Sequence, residues 1–131
     1  MIVVIDNSVF FSLLKRRNSK TISTLFRDDI VFLAPNFLIV ELFRHHDKLF
    51  EGSEDEIIRW LNLLIERVTF INVDNISLGA WAKAFLLCKD VDENDTAYIA
   101  VALEMDASFW TFDKKLKNGL RKKGFRNFFD G

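Results

Sequence analysis

Apolar and polar positions alternate along the chain in blocks that predict strands and helices in turn. Residues 2–5 read IVVI and end at Asp6, the pattern of a short strand buried on both faces. Residues 8–17 predict a helix, with Val9, Phe10, Leu13 and Leu14 on one face. Residues 30–34 predict a second strand stopped by Pro35, after which Asn36 can cap a helix carrying Leu38, Ile39, Leu42 and Phe43. Gly52 closes that region, and Ser53-Glu54-Asp55-Glu56 is a capping box for a helix reaching about Arg67. A third strand is expected over 69–73. Asn75 is the expected cap of the following helix, which runs through Trp81 and Phe85 to about Lys89.

Residues 96–103 contain no charge and are apolar almost all round, so they predict a buried helix. A fourth strand over 107–112, a basic helix from about Asp113 and a short fifth strand over 125–129 complete the chain. Strands separated by helices throughout predict an α/β three-layer sandwich built on a mostly parallel five-stranded sheet.

The 131 residues, half of them hydrophobic and 28% charged, predict a single globular domain spanning 1–131. A net charge of −1 excludes a generally basic coat, so a polyanion would have to be met by a local patch. The single cysteine, Cys88, cannot form an intrachain disulfide and reads as a buried small side chain, which fits a reducing, cytoplasmic setting. The opening MIVVID is too short for a signal-peptide core. No stretch approaches the ~18 apolar residues of a membrane span, so neither export nor a membrane is expected.

The acidic residues change the picture. Parallel α/β sheets place their sites beyond the carboxyl ends of the strands, where Asp6 and Asp113 directly follow the first and fourth strands. Glu41 lies in the second turn of the helix after the second strand, and Asp92 and Asp95 stand at the start of the buried helix. Each has an ordinary explanation taken alone. Asp6, Asp92 and Asp113 can be helix caps, and Glu93 can be a solvated surface group. Glu41 resists this, because it is past the first turn and flanked by Ile39, Val40, Leu42 and Phe43. Two carboxylates ~4 Å apart repel by about 4 kcal/mol at an effective dielectric of 20. Several in one pocket must therefore protonate, separate or hold a cation. All-oxygen donors suit Mg²⁺ or Mn²⁺. His45 and His46 are adjacent on a helix and point in different directions, which argues against zinc.

The ordered segments VVIDNS, APNFLIVEL, DENDTAYIAVALEMDA and FWTFDKKL resemble PIN-domain nucleases, and among them the toxins of VapBC-type toxin–antitoxin modules. The resemblance implies a PIN-like sheet in the order 3-2-1-4-5. It implies that Asp6, Glu41, Asp95 and Asp113 are the catalytic set that binds Mg²⁺ or Mn²⁺, directly or through water, to hydrolyse RNA. It makes Ser8 and Thr111 hydrogen-bonding supports of the acidic pocket. Asp92 falls outside the strict motif, as either a cap or an outer ligand. The implied partners are an RNA substrate and a small antitoxin whose C-terminal tail blocks the pocket, with homodimers common. Lys114, Lys115, Lys117, Arg121, Lys122, Lys123 and Arg126, together with Lys15, Arg16, Arg17 and Lys20, are candidate phosphate contacts or solvated helix faces. Phe125, Phe128 and Phe129 read as core packing before interface.

Three other readings stay open from the residues alone. A phosphoacceptor domain would want paired acids at the first strand, where Asp6 is followed by Asn7. A haloacid-dehalogenase-type phosphatase needs Asp-x-Asp, where the chain has Asp6-Asn7-Ser8. A non-catalytic RNA- or protein-binding module would keep the fold without turnover.

Overall fold

The computed structural model describes residues 1–15 and 17–131; Arg16 of the expected basic stretch lies outside them. Among the described residues four strands form one sheet: β1 (Ile2–Ile5), β2 (Val31–Pro35), β3 (Val68–Ile71) and β4 (Ser108–Trp110). Their order is β3-β2-β1-β4, and every pairing is parallel. The chain therefore builds outward from β1 on one side and then returns to place β4 on the other. The order reverses at β1 and β4, which is where an open parallel sheet leaves a crevice at its carboxyl edge. Val3, Val4 and Ile5 are completely buried, as the uninterrupted apolar run required.

Among the described residues eight α-helices surround the sheet: α1 (Asn7–Lys15), α2 (Ser19–Leu25), α3 (Phe37–Arg44), α4 (His46–Leu49), α5 (Glu54–Ile65), α6 (Leu78–Cys88), α7 (Thr96–Glu104) and α8 (Lys114–Lys122). The uncharged segment forms α7, which packs on α6 and against β1, β2 and β4. Tyr98, Ile99 and Val101 are fully buried there; each large apolar side chain removed from water contributes roughly 1.5–3 kcal/mol. Ser77 Oγ donates to Glu104 at 2.7 Å, fastening the start of α6 to the end of α7. Gly119 lets α8 approach the turn that leads into α7, because a Cβ at that position would lie 2.6 Å from a Val91 methyl.

Several expectations are corrected. The sheet has four strands, not five: residues 125–129 make only an isolated parallel bridge, Phe128 to Phe109. Asn127 and Phe129 exchange two backbone hydrogen bonds with Phe109, while the Phe125 N–H is taken by Leu120 and the Phe128 N–H by Arg126. Too few groups remain for a ladder. The helix α2 was not expected, because Ser19–Leu25 reads SKTISTL and buries Thr21, Thr24 and Leu25, a face with little apolar periodicity. Asn36 precedes α3 but its side chain makes no capping bond. Ser77, not Asn75, caps α6 by accepting from the Ala80 N–H. Pro35 is the last residue of β2, opposite Ile71, so the strand runs one residue past its expected end. The capping box holds in part: Ser53 Oγ accepts from the Glu56 N–H at 3.2 Å. Among the described residues, no helix is long and apolar enough to cross a membrane.

Candidate active site

Asp6 is the first residue beyond β1. Its N–H continues the sheet by donating to the Trp110 carbonyl at 2.9 Å, and its carbonyl accepts the Val9 and Phe10 N–H groups that open α1. With the backbone so employed, the side chain is carried into the crevice between β1 and β4, and Asp6 is 1% exposed. Its Oδ2 accepts from Ser8 Oγ at 2.7 Å and from Thr111 Oγ1 at 2.6 Å. The same two hydroxyls accept from the backbone of the turn after β4, Ser8 from the Phe112 N–H and Thr111 from the Asp113 N–H. Each hydroxyl thus links Asp6 to the start of α8. Asp6 Oδ1 is buried and, among the described residues, has no hydrogen-bond partner. Burial raises the Asp6 carboxyl above the ordinary range despite the bonds from Thr111 and Ser8.

Glu41 sits between Leu38 and Leu42 on the buried face of α3. Its Oε1 accepts from Tyr98 Oη at 2.5 Å and its Oε2 from Asn7 Nδ2 at 2.8 Å. The partner that a charge in an apolar stretch requires is therefore supplied twice, by donors on α7 and at the start of α1.

Asp95 closes a 3-10 turn (Glu93–Asp95) and occupies the residue before α7. Among the described residues its side chain makes no capping hydrogen bond, although it is buried. The neighbouring polar groups serve the turn instead: Asp92 Oδ1 accepts from the Asn94 N–H and Thr96 Oγ1 donates to the Glu93 carbonyl. Burial, followed by the charges of Asp6, Asp92, Glu41 and Asp113, pushes the Asp95 carboxyl up to about 8. α7 therefore begins close enough to the other acids for Asp6, Asp92, Glu41 and Asp113 to act on the charge of Asp95. Asp113 is exposed and caps α8, its Oδ1 accepting from the Leu116 N–H at 3.0 Å. Asp92 is an exposed cap.

The donor set is entirely oxygen, and Asp6 Oδ1 is a buried acceptor with nothing to accept among the described residues. Among the described residues, no three Asp, Glu, His or Cys side chains stand close enough to grip one ion together. Glu41 is held by its two donors and Asp113 by its helix. Mg²⁺ is commonly held by one or two carboxylates and otherwise by water, so Asp6 and Asp95 with water between them and the outer acids fit such an ion.

Sequence reasoning missed Asn7 and Tyr98. Tyr98 is the only tyrosine in the chain, and a hydroxyl inside an uncharged buried helix signals a polar partner. Asn7 was weighed only as a departure from an acidic pair. On α8 and after it, Lys114, Lys115, Arg121, Lys122 and Arg126 are exposed. Lys117 is paired with Asp130 at 2.6 Å and Lys123 with Asp90 at 3.1 Å. On α1 and beyond it, Lys15 and Lys20 are exposed, and the Arg17 guanidinium lies 5.4 Å from the Trp60 ring centre. Phe125, Phe128 and Phe129 pack on the core.

The chain matches the family described as PIN domain over residues 3–128. No curated protein sequence matches it. Among solved structures it is similar to VapBC2 from Rickettsia felis, crystallised with a DNA fragment from their promoter, at 13% identity and a TM-score of 0.72, covering 90% of this chain and 92% of that one. It is also similar to VapBC-1 from nontypeable Haemophilus influenzae, at 20% identity and a TM-score of 0.66, covering 93% and 94%. These likenesses extend over the sheet and its helices and support the same fold.

Proposed function

The chain belongs to the PIN-domain family, and from that premise we propose that it is a divalent-metal-dependent endoribonuclease, the toxin of a toxin–antitoxin pair. The observation that carries this reading is Asp6, whose buried Oδ1 lacks a partner among the described residues and which, with Asp92, Glu41 and Asp113, acts on Asp95. In this reading Asp6, Glu41, Asp95 and Asp113 are the catalytic set, which holds the metal directly or through water. Ser8 and Thr111 support it, and Asp92 caps the turn that delivers Asp95.

Bound Mg²⁺ or Mn²⁺ would supply a water acidified enough to act as nucleophile and would offset charge on the phosphate. The protein's own part is arrangement. Ser8 and Thr111 hold Asp6 by one oxygen so that the other is committed to the pocket, and α7 fixes Asp95 against retreat from its like-charged neighbours. Exposed Lys114, Lys115 and Lys122 at the start and end of α8 attract the RNA backbone that the acids alone would repel.

The partner reading draws on the two VapBC structures, which are similar in fold. A small antitoxin with a basic side chain would be attracted to this acidic pocket, and exposed apolar residues on α3 and α6, Val40, Phe43, Leu78 and Leu86, are available to an antitoxin or to a second copy in a homodimer. A cytoplasmic location and a single functional domain complete the proposal.

The test is cleavage of total cellular RNA by the purified protein with Mg²⁺, with Mn²⁺ and with EDTA, beside Asp6→Asn. Metal-dependent cutting lost in the variant is expected. Cutting that survives both EDTA and the substitution would overturn the proposed centre.

A further inference from the structure

Asp6 and Glu41 face the same pocket but are held in opposite ways. Asp6 has one oxygen doubly engaged and the other, among the described residues, without a partner. Glu41 has each oxygen engaged once, by the neutral donors Tyr98 Oη and Asn7 Nδ2. The donors are not arbitrary neighbours. Asn7 directly follows Asp6, and Tyr98 lies three residues after Asp95, in the first turn of α7. The two bonds tie Glu41 on α3 to the two elements that deliver Asp6 and Asp95. Tyr98 is fully buried, so its hydroxyl would be costly without this acceptor.

We propose that Asn7 and Tyr98 are positioning residues that clamp Glu41 by both carboxylate oxygens, so that Glu41 offers its remaining lone pairs to a water and is not a direct ligand of the cation. The inference rests on the metal-dependent reading above and assigns the division of labour within it. A carboxylate oxygen has two acceptor positions. With one on each oxygen occupied, Glu41 retains acceptor capacity for a water but is not free to swing toward an ion. Asp6, with its unengaged oxygen, is the direct arm.

Because the chain has one tyrosine, labelling tyrosine with ¹³C at Cζ gives a single nuclear magnetic resonance signal that reports the Tyr98–Glu41 bond. That signal is expected to move in Glu41→Gln and, to a lesser degree, in Asn7→Ala. Calorimetric Mn²⁺ titration of wild type, Glu41→Gln, Tyr98→Phe, Asn7→Ala and Asp6→Asn then separates the roles. The clamp predicts affinity within about threefold of wild type in the first three variants and a loss of roughly tenfold or more in Asp6→Asn, with RNA cleavage about 10- to 100-fold slower in Tyr98→Phe and Asn7→Ala.

A Glu41→Gln variant that loses Mn²⁺ as severely as Asp6→Asn would make Glu41 a direct ligand and overturn the proposal. Wild-type cleavage rates in both Tyr98→Phe and Asn7→Ala would overturn the positioning role. Should Tyr98→Phe fail to fold, Asn7→Ala decides, since Asn7 is half-buried and its side chain fills no core. Full Mn²⁺ affinity in Asp6→Asn is a different failure, because it removes the metal-site reading while leaving the tyrosine signal to report the clamp. No Mn²⁺ binding by wild type would overturn both.

Discussion

Of the helices that begin at the carboxyl edge of this sheet directly behind an aspartate, α8 and α7 carry two that differ in almost everything else. Asp113 at the start of α8 is exposed and accepts the Leu116 N–H, the usual service of an acid at a helix start. Asp95 at the start of α7 is buried, accepts no capping bond among the described residues and is pushed up to about 8 by burial and four acidic neighbours. A residue type at a helix position does not decide its role. Burial and the charges around it do, and at α7 they leave an acid whose charged form is disfavoured.

The largest expected effect comes from removing the shared neighbour. Asp6→Asn should lower metal-dependent RNA cleavage by ~100-fold or more, because polarisation by a bound ion is worth several kcal/mol; near-normal rates would separate Asp6 from the chemistry. The next test reverses the usual sign of a mutation. Asp95→Asn should raise the stability of the metal-free protein at pH 7.5 by on the order of a few kcal/mol, since it removes a carboxyl that folding holds far above its unfolded value. Chemical denaturation measures this, and a loss of stability would mean that Asp95 has a partner that favours its charge.

The pH dependence follows from the same shift. The folded Asp95 carboxyl is raised from the ordinary 3.8 to about 8, so the folded state binds the extra proton between those values. Its contribution to stability is fully present below about pH 4 and is lost as pH rises through about 8. Metal-free wild type should therefore lose stability across that window, and Asp95→Asn should lose less. Added Mg²⁺ should raise the melting temperature more at pH 8 than at pH 5. Equal increments at both would contradict the assignment.

At the other helix the sign is ordinary. Asp113→Ala should cost about 1 kcal/mol through the lost cap, opposite to Asp95→Asn, and denaturation of the two variants side by side makes the contrast directly. The smallest effect belongs to Asp92→Ala, which removes the exposed cap on the Asn94 N–H and should cost about 0.5 kcal/mol while leaving Mn²⁺ affinity near wild type. A large loss of affinity there would bring Asp92 into the metal shell.

What could be read from the chain divides along physical lines. β1 and α7 were legible because burial on all sides demands uninterrupted apolar runs. Glu41 needed a partner because it stands past the first turn in an apolar stretch, and it has two; Asp6 alone could have been an ordinary cap, and its grouping with Glu41 and Asp95 rested on the family resemblance. α2 was not, because two of its three buried side chains are threonines, whose methyl groups pack while their hydroxyls read as loop; the signal available was Asn18, which caps it by accepting from Lys20 and Thr21. The fifth strand was overread because residues 125–129 are rich in phenylalanine, yet those rings pack on Trp110, Phe109 and one another while the backbone closes the end of α8. Tyr98 stayed hidden for the converse reason. Its ring belongs in an apolar helix, and its hydroxyl meets Glu41 only across a sequence separation of 57 positions.

The most direct test of the contrast between the two helices is the number of protons released when Mn²⁺ binds, measured by calorimetry at pH 7 in buffers of different ionisation enthalpy. A cation needs its carboxylate ligands deprotonated. With Asp95 at about 8, wild type should release close to one proton or more, Asp113→Ala the same number, and Asp95→Asn markedly fewer. Binding without proton release, or release that Asp95→Asn leaves unchanged, would contradict the claim that α7 holds Asp95 in the pocket for a cation.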